Sequence, residues 1–251
     1  MANQYLEALA DAWENHQAPR EENAPTVVST FAGCGGSSLG YSMAGFDERL
    51  AVEWDAHAVS TFKLNFPEVP VYHGDIGAIT VDEALERTGL TPGDLDVFDG
   101  SPPCQGFSTA GKRMVDDDRN QLFREYIRLI KGFRPKVIVM ENVSGMIKGD
   151  HRRIQGEIMD ELRAAGYNVS CKLLSAHLLN VPQKRQRLIF IGTRKDLGIS
   201  PVHPRPLSAP VNCTKAFEGL PDDATKTLEG QGLYLWQRVM PGQSFSKAHP
   251  K

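Results

Sequence analysis

Cys104 follows two consecutive prolines in the segment DGSPPCQGFSTAGKRMVDDDRN. Pro102 and Pro103 restrict the backbone that leads to the thiol and so fix where it points. The apolar run LDVFDG comes just before, which places the cysteine at the carboxyl end of a strand, the rim where open α/β sheets bind ligands. After it comes a polar, glycine-containing stretch suited to a lid over a site. Cysteine is more often a small buried hydrophobe than a nucleophile. Here the rigid approach, the rim position and the loop together favour a nucleophilic thiol.

A second cluster has the pattern of a nucleoside site. The run TVVSTF leads into AGCGGSSLG, where Gly33, Gly35 and Gly36 can take backbone conformations closed to other residues and leave room for a ligand. Seventeen residues past Gly36, Glu53 ends the second apolar run, where a carboxylate can accept hydrogen bonds from both ribose hydroxyls. Trp54 beside it offers a ring for adenine. A glycine turn alone is often no more than a tight strand-to-helix connection, and the spacing of Glu53 is what favours the nucleoside. From Gly33 the loop reads GxGxxS, short of the dinucleotide fingerprint by its third glycine. A cofactor with adenosine but no pyrophosphate, such as S-adenosylmethionine, therefore suits it better than a nicotinamide dinucleotide.

These residues need a scaffold, and the pattern supplies one. Short β-rich runs (TVVSTF, LAVEW, VPVYHGDI, LDVFDG, KVIVMENV, SCKLLSA and RLIFIGT) alternate with helical segments, the mark of a largely parallel sheet with helices on both faces. Thr80 and Glu83 form a capping box opening VDEALERTG. Leu122, Phe123, Tyr126, Ile127 and Ile130 make an apolar stripe that ends before Pro135, and Ile154, Ile158 and Leu162 make another, closed by Gly166. Before residue 26, Tyr5, Leu9 and Trp13 at four-residue spacing suggest an appended helix.

Composition narrows the class. With 41% hydrophobic and 24% charged residues, the chain can build a large α/β core. It has neither a long apolar run nor a basic, apolar start, so no membrane span or secretion signal is expected, and a cytoplasmic setting fits. The cysteines at 34, 104, 171 and 213 form no CxxC pair, and neither a metal site nor a disulfide framework is expected. The net charge of −3 hides an asymmetry: residues 1 to 100 carry 4 basic and 17 acidic side chains, residues 101 to 251 carry 24 and 14. One face could meet a polyanion, although charges of this kind also simply coat solvated helices.

The motifs FAGCGGSSLG, EWD, GDI, GSPPCQGFS, MENV and VPQKRQRLIFIG stand in the order and spacing of the DNA (cytosine-5) methyltransferases. Over about residues 26 to 195 the chain resembles that family in its bacterial restriction-modification form. The resemblance implies a Rossmann-like S-adenosylmethionine-dependent methyltransferase fold. It implies that Phe31, Gly33, Gly35 and Gly36 lie along the cofactor, that Glu53 holds its ribose and Trp54 its adenine face, and that Asp75 and Ile76 meet the adenine edge. Gly100 and Leu122 complete that set. Cys104 would be the nucleophile, in a substrate loop with Pro102, Pro103, Gln105 and Ser108. Glu141 would contact the cytosine ring edge, Arg187 aided by Arg185 the carbonyl oxygen, and Gln183 would support the closed loop.

Each residue type suits its implied task. A thiolate adding at carbon 6 of cytosine breaks the aromatic conjugation and leaves carbon 5 able to take a methyl group. Negative charge builds on the ring, and Glu141 could donate a proton or strong hydrogen bond at ring nitrogen 3 if it is buried. Capping a helix is the plainer reading of that acid. Arginine stabilises charge on the carbonyl oxygen through planar, permanently charged donors, and strand periodicity would put Arg185 and Arg187 on one face. A solvated basic loop remains the plainer reading of Lys184. Carbon 6 is unreachable inside a stacked duplex, so the base must be extruded, with Lys112 and Arg113 in the loop available to phosphates.

Members of the family continue into a variable target-recognition region and a final Gly-Asn-Ser-type motif, neither of which is visible here. The expected organisation is a helical extension over 1–25, a catalytic domain over 26–195, and the start of the recognition region over 196–251, opened by the proline-dense PVHPRPLSAP. A downstream segment or a second chain would supply the rest. Double-stranded DNA is the implied substrate. A tRNA cytosine is the alternative within the same fold, and a cofactor- or partner-binding module without turnover is the alternative from another class.

Overall fold

A computed structural model of the chain describes residues 4–103, 118–147, 151–207, 209–212, 215–216 and 218. Cys104, Gln105 and Ser108, with Lys112, Arg113 and Cys213, lie outside the described residues. Two compact units divide the chain, Met1–Ala216 and Phe217–Lys251.

Seven strands form one sheet: β1 (Thr26–Thr30), β2 (Asp47–Glu53), β3 (Val71–His73), β4 (Val97–Gly100), β5 (Val137–Val143), β6 (Tyr167–Ser175) and β7 (Gln186–Arg194). Their order is β3-β2-β1-β4-β5-β7-β6; the first five are parallel, and β7 runs antiparallel to both neighbours. The helices are α1 (Gln4–Gln17), α2 (Gly36–Met43), α3 (Ala56–Asn65), α4 (Val81–Thr88), α5 (Asp118–Phe133) and α6 (His151–Ala164).

Alternation along the strands sends side chains to two apolar clusters, one on each face. Leu50 and Val52 join the larger cluster with Phe98, Tyr126, Ile130, Phe133, Ile138, Ile158 and Phe190. Ala51 between them joins the smaller, with Ala32, Phe62 and Phe66. This is the doubly covered, mostly parallel α/β sheet that the alternating pattern predicts.

Local signals set the helix ends. Thr80 Oγ1 accepts from Glu83 N at 3.1 Å, and Gly89 closes α4 at φ 66°. Asp55 caps α3 by accepting from Ala58 N at 2.8 Å. Three strands differ from their apolar runs: β6 begins at Tyr167, ahead of SCKLLSA, because Tyr167, Asn168 and Val169 pair with Arg194, Thr193 and Gly192. β2 begins at Asp47, earlier than LAVEW, because its polar start pairs with Thr26 and Val27 and Asp47 takes an ion pair from Arg49 at 2.9 Å. β3 keeps only Val71–His73 of VPVYHGDI: Pro70 has no N–H to donate, and Asp75 turns the chain by accepting from Gly77 N.

The first helix docks on the second. His16 Nδ1 and Ser42 Oγ share a hydrogen bond of 2.7 Å, and Arg20 donates to Ser42 O at 3.1 Å. The His16 ring meets Phe66 edge-on at 5.8 Å, while Leu9 and Trp13 keep nearly half their surface in solvent.

Candidate active site

Parallel β1, β2, β4 and β5 all deliver their carboxyl ends to one edge of the sheet, and antiparallel β7 starts there. Phe31, Glu53, Gly100, Glu141 and Arg187 therefore gather along one rim, although up to 156 residues separate them in sequence. Such a rim is where open α/β sheets place their ligands.

On the β1–β2 side, the carboxylate of Glu53 is locked by three backbone donors. Gly33 N donates to Oε2 at 2.7 Å, and Trp54 N and Asp55 N donate to Oε1 at 2.9 Å each. The glycine loop and the acidic partner thus form one piece. A cleft of about 250 Å³ opens beside it, lined by Phe31, Glu53, Trp54, Asp75, Ile76 and Leu122, all anticipated for the cofactor. Pro103, from the segment that leads to Cys104, lines it too, as do Val52 and Gly74; sequence reasoning singled out neither, although Gly74 opens the GDI motif. Trp54 is 77% exposed, leaving its ring free to receive a flat base, while Ile76 is buried in the floor. Among the described residues no lysine or arginine lines this cleft. Apolar walls and a fixed carboxylate suit an adenosine, so S-adenosylmethionine fits this chain's residues.

The glycines have unequal tasks. Gly33 and Gly35 have φ of 57° and 91°, in the left-handed region that favours glycine. A Cβ on Gly35 would also collide with the Phe66 ring. Gly36 departs from the expected role: it is the first residue of α2 in ordinary helical conformation, with open space around it. Gly100 is buried where a Cβ would strike Thr30 Oγ1 and Tyr126, so packing by itself requires a glycine there. Phe31 takes φ 56° without being glycine, a local strain of the kind that gathers at functional sites.

On the β5–β7 side, Arg187 Nε lies 2.6 Å from Glu141 Oε1. The burial expected for Glu141 is not found: its side chain is 34% exposed, because it stands at the open rim with its carboxylate on the guanidinium. Gln183, Lys184, Arg185, Gln186 and Arg187 line a polar cleft of about 520 Å³ with Ser144. Arg185 precedes β7, yet it shares this cleft with Arg187, and its carbonyl extends the ladder by accepting from Ala176 N at 2.8 Å. Between the two clefts run the prolines. Asn142 Nδ2 donates to Pro102 O at 3.2 Å, anchoring that segment beside Glu141, while Pro103 lines the Glu53 cleft.

One buried acid at the rim escaped sequence reasoning. Asp99, read only as part of the run VFDG, is 8% exposed, and it accepts from Ser37 Oγ at 2.6 Å and from Tyr41 Oη at 3.2 Å. Elsewhere, burial pushes the Cys171 thiol up to about 11, which leaves it a poor nucleophile. Among the described residues no group of histidine, cysteine or acid could hold a metal ion, and no helix is long and apolar enough to cross a membrane.

Residues 26–248 match the model of the C-5 cytosine-specific DNA methylases. The chain belongs to this family. Among relatives, it is 40% identical over 184 residues to the Type II methyltransferase M.XorII of Xanthomonas oryzae pv. oryzae, covering 72% of this chain and 43% of that protein. It is 40% identical over 201 residues to M.AquIA of a Picosynechococcus strain, covering 76% of this chain and 80% of that protein. A solved structure described as a prophage-encoded DNA modification methyltransferase from E. coli superposes with a TM-score of 0.66 at 32% identity, covering 79% of this chain and 56% of the other. The methylase chain thus spans less than half of M.XorII and about four fifths of M.AquIA.

Proposed function

We propose that this chain carries the catalytic and cofactor-binding part of an enzyme that methylates carbon 5 of cytosine in double-stranded DNA. The observation that carries the reading is the Pro102–Pro103 bridge: Pro102 is tied to Asn142 beside Glu141, and Pro103 lines the Glu53 cleft. Cys104, the nucleophile of this reading, is the next residue in the sequence.

When bound, S-adenosylmethionine supplies an electrophilic methyl group. Glu53 would hold the ribose hydroxyls, with Trp54 and Ile76 against adenine. Cys104 would add as thiolate to carbon 6 of an extruded cytosine, its electron pair forming the carbon–sulfur bond and moving the ring electrons toward carbon 5. Arg187, with Arg185, would stabilise charge on the carbonyl oxygen, and Glu141 would meet ring nitrogen 3. To do so, Glu141 must share or release Arg187, so the arriving base takes over part of an existing ion pair. Once carbon 5 is methylated, loss of its proton returns electrons to the ring and expels the thiolate, restoring Cys104.

We further infer that target recognition, and many phosphate contacts, come from a further segment or a second chain. The support is the greater length of M.XorII and the general weight of phosphate neutralisation in affinity for DNA. Residues 1–251 alone should bind the cofactor yet methylate DNA barely. The test is expression in cells that lack cytosine methylation, with and without the neighbouring coding sequence, followed by bisulfite sequencing. Site-specific 5-methylcytosine with the neighbour present is expected. Methylation on a nitrogen, or none under either condition, would overturn the reading.

A further inference from the structure

Two carboxylates, Asp99 buried and Glu48 half-buried, hold α2 from the strands either side of β1. Asp99 on β4 takes Ser37 Oγ at 2.6 Å and Tyr41 Oη at 3.2 Å. Glu48 on β2 takes Ser38 Oγ at 3.0 Å. In the order β2-β1-β4 the helix is therefore gripped on both sides of the strand that feeds it. Ser37 and Tyr41 are one helical turn apart, so a single carboxylate holds the whole first turn.

That turn follows directly on Gly33 and Gly35, whose loop locks Glu53. At its other end, Asp99 lies five residues before Cys104, at the point where β4 passes into Pro102 and Pro103. Thr30 Oγ1 donates to Asp99 O at 3.1 Å, fastening the same residue to the end of β1. Asp99 thus joins the strand leading to the nucleophile to the helix leading from the cofactor loop.

Holding a carboxylate there is costly. Burial pushes Asp99 up to about 6, against its two hydroxyl donors and with Glu141 of β5 adding repulsion. The other groups that face it are Tyr41 of α2, Tyr126 of α5 and Glu48 of β2, and no cation among the described residues pairs with it. An apolar or amide residue would pack there at less cost, and a charge kept at such a place calls for a use.

We propose that Asp99 is a positioning residue, which through Ser37 and Tyr41 sets the cofactor loop relative to the segment that carries the nucleophile. The proposal rests on the methyltransferase reading and adds to it a link between the two half-sites.

The test is a double-mutant cycle on the full chain, with calorimetric titration of S-adenosylhomocysteine and thermal melts at pH 8. Asp99→Asn and Ser37→Ala should each weaken binding about tenfold, the scale for losing a charge-assisted hydrogen bond. The double variant should be no worse than either single, because both cut one link. Tm should hold or rise in Asp99→Asn and in the double variant, the two that lose the buried charge, and stability is compared on these two. Unchanged affinity in Asp99→Asn, additive losses, or losses that track a fall in Tm would each overturn the proposal. Failure of the parent chain to bind S-adenosylhomocysteine would instead overturn the methyltransferase reading, and the proposal with it.

Discussion

Arg187 Nε reaches Glu141 Oε1 at 2.6 Å diagonally across the β5–β7 ladder, in which Glu141 faces Ile189 and Val143 faces Arg187. Strand alternation puts all four on one face, so the pair is a product of register. Both side chains keep about a third of their surface exposed (29% and 34%), so the pair contributes little to stability, about 1 kcal/mol or less. Glu141→Gln and Arg187→Ala should leave urea midpoints almost unmoved while each lowers single-turnover methyl transfer about 10²–10³-fold. A catalytic loss no larger than the stability change would mean that the pair is only a surface bridge.

Adjacent glycines in the cofactor loop should respond in opposite ways. Gly35→Ala meets Phe66 and a φ of 91°, and should destabilise by about 1–3 kcal/mol. Gly36→Ala, on an open helical position, should be neutral or stabilising by up to about 1 kcal/mol. Urea unfolding of the two variants decides, and equal losses would contradict the assignment of their roles.

The sheet, its helices and the gathering of Phe31, Glu53, Trp54, Asp75 and Ile76 around one cleft were legible because each leaves a local mark. Apolar runs report strands, Thr80 and Glu83 report a helix start, and Glu53 sits at a spacing set by one strand-loop-helix unit. What was not legible depends on pairing between distant segments. The polar start of β2 needs Thr26 and Val27 beside it, the loss of β3 residues needs Pro70 and Asp75 in their turn, and the obstacle at Gly100 is Tyr126, on α5. Asp99 was missed for the same reason: its partners lie 62 and 58 residues away, and nothing in VFDG points to them.

Acidity should reveal Asp99 and Glu48. Burial raises Asp99 from an ordinary 3.8 to about 6 and Glu48 from 4.5 to about 7, so between those values the folded chain binds protons that the unfolded chain does not. Stability then falls as pH rises through roughly 4 to 7, since the slope follows the protons bound by the unfolded minus the folded state. Asp99→Asn and Glu48→Gln should raise Tm at pH 8, with the gain shrinking toward pH 4.5. A gain independent of pH would show that ionisation is not its source.

Glu53→Ala should weaken S-adenosylmethionine binding by about 1.5–3 kcal/mol, since it removes acceptors for the ribose and frees Gly33 N. Methyl transfer at saturating cofactor should change much less. Unchanged affinity by calorimetry would mean that Glu53 only braces the loop.

The most direct measurement places 5-fluorocytosine in duplex DNA, where fluorine blocks loss of the carbon 5 proton and the enzyme cannot release the base. With S-adenosylmethionine and the recognition segment present, peptide mass spectrometry should find the methylated base bonded to Cys104, and Cys104→Ser should give neither adduct nor methylation of ordinary DNA. An adduct on Cys34 or Cys171, or methylation by Cys104→Ser, would contradict the account.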